Sequence, residues 1–286
     1  MNSETPRRWK VEISPHRRAF AIPVREIFSY RDLLYLFVRR DFVANYKQTV
    51  LGPIWFLIQP ILTTIMMVFV FGNLAGIPTD GLPSVLFYLG NLVLWGYFSS
   101  SFNKNAATFQ SNARLFGKVY FPRLITPIGV SISALLTLAI QFILFLVFLL
   151  YYISRGVVVP NATLLLFPFL VLNVAMLSMG MGLIFSAFTT KYRDLVNLLS
   201  FGTQLLMYAS PIVYPLSVVM EKSERLSWVI KANPISGTIE TFRHGFMGEG
   251  YFSWELLTYS TVASAVVLFL GMLLFNKVEA TFMDTV

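Results

Sequence analysis

Six stretches of this chain run for 21 residues or more without a single Asp, Glu, Lys or Arg: 48–79, 81–103, 124–154, 156–190, 195–220 and 256–276. A helix needs about 20 apolar residues to cross the roughly 30 Å hydrocarbon core of a bilayer. Only helices and closed barrels keep every backbone polar group satisfied there. Trimmed at their Pro, Gly and Asn edges, the stretches predict spans at 53–75, 84–103, 124–153, 162–188, 195–214 and 256–276. The fifth contains Pro211 and Pro215, which bend a helix or end it early. A barrel would show short alternating segments, and these runs are continuous. The expected fold is an all-α integral membrane protein with six transmembrane helices.

Composition agrees. Charged residues make up 13% of the chain and hydrophobic ones 56%, against roughly 25% charged in a soluble domain. That excludes a water-soluble globule, a disordered chain, a disulfide scaffold and nucleic-acid binding as the main role. There is no cysteine, which removes thiol chemistry, thiolate zinc and iron–sulfur clusters. The first fifty residues are the most charged part and lack a signal peptide's short apolar region. The N-terminal segment, the loops after spans two and four, and the C-terminus hold seventeen of the 22 Lys and Arg residues. Basic loops stay on the cytoplasmic side, so both termini are predicted cytoplasmic. The net charge of +8 then reflects topology and attraction to anionic membrane lipid.

Several segments are not spans. Residues 1–27 and 281–286 read as cytoplasmic tails. Between them Ile27, Tyr30, Leu34, Phe37, Val38 and Phe42 fall on one side of a helix; Asp32, Arg39, Arg40 and Lys47 fall on the other. That predicts a helix along the cytoplasmic interface, its apolar face in the headgroup boundary, or a basic lead-in that only sets topology. The loop at 112–123 mixes Arg114, Lys118 and Arg123 with Leu115, Phe116, Tyr120 and Phe121. Four large apolar side chains in a short loop dock on something, either a partner or the membrane surface and the protein's own interfacial helix. In the last external loop, Asn233-Pro234 opens a helix, Ile235, Ile239, Phe242 and Phe246 repeat along it, and Gly248 and Gly250 stop it. A second short helix is expected over 216–229, the pair forming either a lid or a surface hairpin.

Recognisable bond chemistry is missing. No span holds an ionisable residue away from its ends, so proton-coupled transport lacks its usual relay. No phosphate-binding loop of the G-x-x-x-x-G-K-[ST] form occurs. Two histidines, His16 and His244, cannot build a metal cluster. The external acids Glu221, Glu224, Glu240, Glu249 and Glu255 suit a solvated face better than a transferase site. Two spans carry a pattern instead. Asn197, Phe201, Gln204, Tyr208 and Pro211 share one face of span five; Phe56, Gln59, Thr63 and Met66 share one face of span one. Such stripes meet a neighbouring helix or a passing solute, and aromatic faces beside amides are what sugar rings favour.

At this point the residues match a known pattern. Lys47-Gln48-Thr49-Val50-Leu51-Gly52-Pro53-Ile54-Trp55, followed by Gln59-Pro60, resembles the first-span signature of polysaccharide-export ABC transporter permeases of the ABC-2 type. So do Gly117-Lys118-Val119-Tyr120-Phe121-Pro122-Arg123, Lys191-Tyr192-Arg193-Asp194, Ser210-Pro211-Ile212-Val213-Tyr214 and Asn233-Pro234, in the expected order over about residues 28–280. The chain is most similar in look to O-antigen (lipopolysaccharide) permeases, with capsule and teichoic acid permeases as near relatives. The resemblance implies a homodimer in the bacterial inner membrane, paired with two copies of a separate ABC ATPase subunit. ATP and Mg would bind in that subunit, with no cofactor in this chain. It further implies an interface helix over 28–48 and an ATPase-coupling segment over 112–122 carrying Arg114, Leu115, Phe116, Lys118, Tyr120 and Phe121. External gate helices would lie over 216–247, with Pro211, Tyr214, Asn233, Pro234 and Phe242 at the gate. Spans one and five would line the channel for an undecaprenyl-diphosphate-linked polysaccharide whose diphosphate meets Arg39, Arg40 and Lys47. Rival readings are export of a small lipophilic drug, a membrane glycosyltransferase or ligase using the external acids, and a stand-alone channel.

Overall fold

A computed structural model describes residues 24–44, 47, 49–119, 121–192 and 194–281. Among these the chain is all helix and turn, without a strand. Two helices precede the first span, α1 (Val24–Ser29) and α2 (Arg31–Ala44). Then come α3 (Trp55–Met67), α4 (Ser84–Ala106), the short α5 (Thr108–Phe116), α6 (Ile125–Ser154), α7 (Phe167–Thr189) and α8 (Leu195–Tyr208). Three short helices follow, α9 (Leu216–Lys222), α10 (Glu224–Ala232) and α11 (Pro234–Met247), before α12 (Trp254–Thr281).

Five helical segments are long and apolar enough to cross a bilayer: Gly52–Leu74, Ser84–Ala106, Ile125–Ser154, Ala162–Thr189 and Trp254–Glu279. The first joins α3 to a π-helical stretch, Val68–Leu74. The apolar α8 has 14 residues, about 21 Å at 1.5 Å per residue, which is short of a full crossing. The expected span 195–214 therefore ends at Tyr208, and the chain turns at 209–215.

α4 is the central helix, the least apolar of the five and the most buried. Leu86, Phe87, Tyr88, Leu89, Leu94 and Phe98 are enclosed on its flanks by α6, α7 and α11. Lipid tails are as apolar as leucine, so helices in a membrane associate through close packing rather than the hydrophobic effect. α7 and α12 show how. A Cβ on Gly180 would lie 2.5 Å from the Leu268 backbone nitrogen, and one on Gly271 would meet the Gly180 carbonyl oxygen. Only hydrogen fits at this crossing. At the end of the bundle nearest α5, Phe109, Phe116, Phe121 and Phe275 form a second aromatic cluster with Phe37 of α2.

The stretch expected as one helix over 216–229 is two. Ser223 is extended, and its hydroxyl accepts from the Leu226 N–H, ending α9 and capping α10. α11 follows the sequence reading: Asn233 caps it through the Ile235 N–H, Pro234 takes the first turn, and left-handed Gly248 (φ +80°) ends it.

Candidate functional site

A cavity of about 440 Å³ opens between α3, α4 and α6, closed at one side by Met207 of α8. Its volume is that of a small-molecule site. α3 contributes Trp55, Phe56, Gln59, Pro60 and Thr63; α4 contributes Trp95, Gly96, Ser99, Ser100 and Lys104; α6 contributes Thr137 and Gln141. Of the predicted span-one stripe, Phe56, Gln59 and Thr63 line this space, while Met66 faces outward, 58% exposed. The stripe on α8 behaves differently. Asn197, Phe201, Gln204 and Tyr208 are exposed on the subunit surface, and the opposite face packs inward through Thr203 and Met207. Thr203 donates to the Asn103 side chain at 3.3 Å, joining α8 to the end of α4. One subunit thus brings the first stripe to a cavity and leaves the second free for a lipid, a solute or another chain.

Beyond Tyr208 the backbone is irregular and buried, which is tolerated at membrane depth only where protein satisfies its polar groups. Four side chains do so. The Ile212 carbonyl accepts from Asn91 of α4 at 2.9 Å, and the Pro211 carbonyl accepts from Arg243 at 2.6 Å. Asn233 donates to the Ala209 carbonyl at 3.3 Å and to the Ser210 hydroxyl at 2.8 Å. Glu240 accepts the Leu216 N–H and, through its other oxygen, the Tyr251 N–H, both at 3.0 Å. Glu240 and Arg243 form an ion pair at 2.9 Å with both side chains enclosed, and the guanidinium lies 4.5 Å from the Phe87 ring centre. Burial pushes the Glu240 carboxyl up from the usual carboxylate range, while Arg243 and the two backbone N–H donors pull it back. Glu240 is therefore no part of a solvated acidic face, although Glu221, Glu224, Glu249 and Glu255 are exposed as expected. Of the predicted gate residues, Pro211 and Asn233 belong to this junction. The Tyr214 hydroxyl donates to the Tyr208 carbonyl at 2.7 Å, and Pro234 starts α11. Phe242 instead points into the core against Phe145 and Phe246.

At the other end, Phe37 of α2 is buried on the protein, 5.7 Å from Phe121, while Ile27, Tyr30, Leu34, Val38 and Phe42 of the same predicted face are half-buried. Arg39, Arg40 and Lys47 are exposed; Arg40 pairs with Asp41 at 2.8 Å and covers the Phe37 ring. In the coupling segment, Arg114 and Lys118 are exposed and Leu115 is half-buried. Phe116 and Phe121 are not available for docking, because both are enclosed in the aromatic cluster. Tyr120 lies outside the described residues.

Sequence reasoning missed Lys104, Gln141 and Trp95 in the cavity, and the Glu240–Arg243 pair. The polar run Ser99-Ser100-Ser101 with Asn103 and Lys104 at the end of an apolar span was a usable signal. So was an opposite-charge pair three residues apart on a helix otherwise rich in Ile and Phe.

The ABC-2 type transporter family matches residues 32–247, and the chain belongs to it. It is a multi-pass membrane protein of that family. Its relatives include the O-antigen export system permease protein RfbA of Klebsiella pneumoniae, 27% identical over 88% of this chain and 94% of the relative. RfbA of Myxococcus xanthus is 26% identical over 92% of this chain and 98% of its own length. The polysialic acid transport protein KpsM of Escherichia coli is 25% identical over 84% and 91%.

Proposed function

We propose that this chain is the membrane permease of an ABC exporter that moves an undecaprenyl-diphosphate-linked polysaccharide, O-antigen, from cytoplasm to periplasm. ATP hydrolysis takes place in a separate ATPase subunit, two copies of which pair with a permease homodimer in the bacterial inner membrane. Both termini face the cytoplasm in this reading. The observation that carries it is the likeness to O-antigen export permeases over nearly their full length.

The geometry supports a transport role over a catalytic one. Among the described residues, the polar groups lining the cavity are amides, hydroxyls, two indoles and one lysine, with no carboxylate. Amides, hydroxyls and indoles of this kind suit reversible contacts with a passing solute. The exposed face of α8, with Asn197, Phe201, Gln204 and Tyr208, lines the channel once a second copy closes it. Arg114, Leu115 and Lys118 meet the ATPase. Arg39, Arg40 and Lys47 attract the lipid diphosphate, and the junction of Pro211, Tyr214, Asn233 and Pro234 works as the external gate. Export of another polysaccharide, such as a capsule glycan, is the second reading, favoured by the likeness to the polysialic acid transport protein KpsM.

The test is isolation of the tagged protein from its native membrane in mild detergent, with analysis of lipid-linked glycan in a deletion strain. A stoichiometric ATPase subunit and accumulated O-antigen on its lipid carrier are expected. A permease that isolates without an ATPase overturns the exporter reading, and accumulation of a capsule glycan transfers it to the second one.

A further inference from the structure

Two carboxylates from different parts of the fold hold the start of α9. Glu240 of α11 accepts the Leu216 N–H at 3.0 Å. Asp80, in the loop 75–83 that joins the first span to α4, accepts the Ser217 hydroxyl at 2.7 Å. The two ties differ in kind. Glu240 is enclosed and also serves Arg243 and the Tyr251 N–H, so opening it strands buried polar groups. Asp80 and Ser217 are half-buried, and water can replace their hydrogen bond at modest cost. The negative charges of Asp80 and Glu240 also oppose each other.

The turn that presents Asp80 is rigid. Asp80 and Gly81 are both left-handed, with φ +52° and +77°, as in a type I′ turn, for which Asp-Gly is a favoured sequence. The Leu82 N–H donates to the Thr79 carbonyl at 3.0 Å, and the Thr79 hydroxyl donates back to the Leu82 carbonyl at 2.6 Å. Leu82 itself is buried in the main core. The helices that face this turn are built more loosely. Leu216, Ile230 and Leu256 form a small core of their own, with Val219 and Tyr251 packed on it, and extended Ser223 breaks α9 from α10. Elements with so few buried apolar contacts open at low cost. Their far end is held where the Tyr259 hydroxyl donates to the Ala232 carbonyl at 2.6 Å.

With the Glu240 tie alone, α9 can turn about Leu216. A second attachment one residue further on fixes its direction. We infer that Asp80 is a latch that clips the flap formed by α9 and α10 to the loop 75–83, and that its bond to Ser217 breaks during transport while the Glu240 tie holds. The rigid turn supplies the fixed half of the latch, and the half-buried hydroxyl supplies the releasable half. The inference rests on the reading of this region as a gate; the latch itself is measurable without export.

The experiment locks the contact and then loosens it. The chain has no cysteine, so Asp80→Cys with Ser217→Cys supplies a single pair, joined in cells by a short bis-methanethiosulfonate and parted by reductant. Lipid-linked glycan is followed in a deletion strain carrying the variant. With the pair joined, glycan should accumulate as in the deletion; after reduction, export should resume. Neither single variant should respond to the reagent. Continued export with the pair joined overturns the latch, as does a block in either single variant or failure of the pair to join. Hydrogen exchange on the full-length chain in nanodiscs reads the same contact without export. Ser217→Ala and Asp80→Gly should each raise exchange over 217–223 about tenfold, the scale of one hydrogen bond to a charged group, and leave 209–216 unchanged. Glycine suits the left-handed turn, so the second variant removes the carboxylate without straining the backbone. Asp80→Asn keeps an acceptor oxygen and should stay near the parent. Unchanged exchange in Ser217→Ala overturns the latch, and so does an equal rise at 209–216, which would make flap and junction one structural unit. A native complex without an ATPase sinks the export reading, and exchange still decides whether Asp80 holds the flap; a joined pair that exports sinks the latch alone.

Discussion

Replacing Glu240 by Met probes the junction directly, because that carboxylate serves three donors at once: the Leu216 N–H and Tyr251 N–H at 3.0 Å and Arg243 at 2.9 Å. Both charged side chains are enclosed. Removing one partner of a buried pair leaves the other unpaired and costs about 3–5 kcal/mol. Arg243→Met should cost a similar amount, since it also strips the donor from the Pro211 carbonyl. The double variant removes both charges but still leaves two N–H groups and one carbonyl without their partners, each worth about 1–3 kcal/mol. Its total should therefore fall short of the sum of the singles by about 2 kcal/mol, a coupling typical of contacting groups. SDS titration in mixed micelles, followed by Trp emission, reads the three stabilities. Hydrogen exchange on the same variants should rise at 209–216 and 248–253, and not in α5. Single-variant losses below about 1 kcal/mol, or additive losses, would refute the reasoning, because surface pairs behave that way.

Other positions separate structural from functional roles. Gly271→Leu forces side-chain atoms into the Gly180 backbone and should cost about 1–3 kcal/mol or more by overpacking; unchanged heat tolerance in detergent contradicts the close α7–α12 crossing. Phe116→Ala should cost about 3–5 kcal/mol as a core truncation, because its ring is enclosed by Phe109 and Phe121. Arg114→Glu combined with Lys118→Glu should change stability by less than about 0.5 kcal/mol and reduce ATPase recovery on isolation; full recovery removes these two from the coupling surface. Gln204→Ala and Tyr208→Ala, both on the exposed face of α8, should lower export while the dimer persists in crosslinking. Loss of the dimer instead shows that the face packs against the second copy.

Charge-free length located the long helices well: the expected 84–103 and 124–153 appear as Ser84–Ala106 and Ile125–Ser154. It misjudged the fifth because apolar content cannot tell a continuing helix from irregular backbone buried in protein. Pro211 and Pro215 signalled the break, yet the carbonyl partners that make it tolerable, Asn91 and Arg243, lie far away in sequence. Helix starts set by local chemistry, such as Asn233 with Pro234, were legible. The cavity was half legible. The Gln59 and Thr63 stripe showed on α3, but its opposing wall depends on how α4 and α6 fold against it. Phe116 and Phe121 read as docking anchors and Phe242 as a gate residue for one reason: a large aromatic in a loop or short helix looks available until the core it fills is known.

The cavity and the junction share two helices, which bears on how an outward motion would start. α4 carries Phe87 and Asn91 toward the junction and Trp95 through Lys104 toward the cavity. α8 runs antiparallel beside it, joined midway by Thr203 to Asn103; past its end Asn91 of α4 holds the Ile212 carbonyl and Arg243 of α11 holds the Pro211 carbonyl. The first tie is a single 3.3 Å hydrogen bond, and the second is a charge-assisted, fully enclosed set. Disruption therefore costs least at Thr203, near the Lys104 mouth. A ligand reaching the Lys104 mouth would loosen the Thr203 turn of α8 first, with the junction just beyond Met207 as the fixed end about which it tilts. Thr203→Val should accordingly leave the junction's exchange protection intact while raising exchange over 195–203; a rise at 209–216 instead would place the hinge at the wrong end.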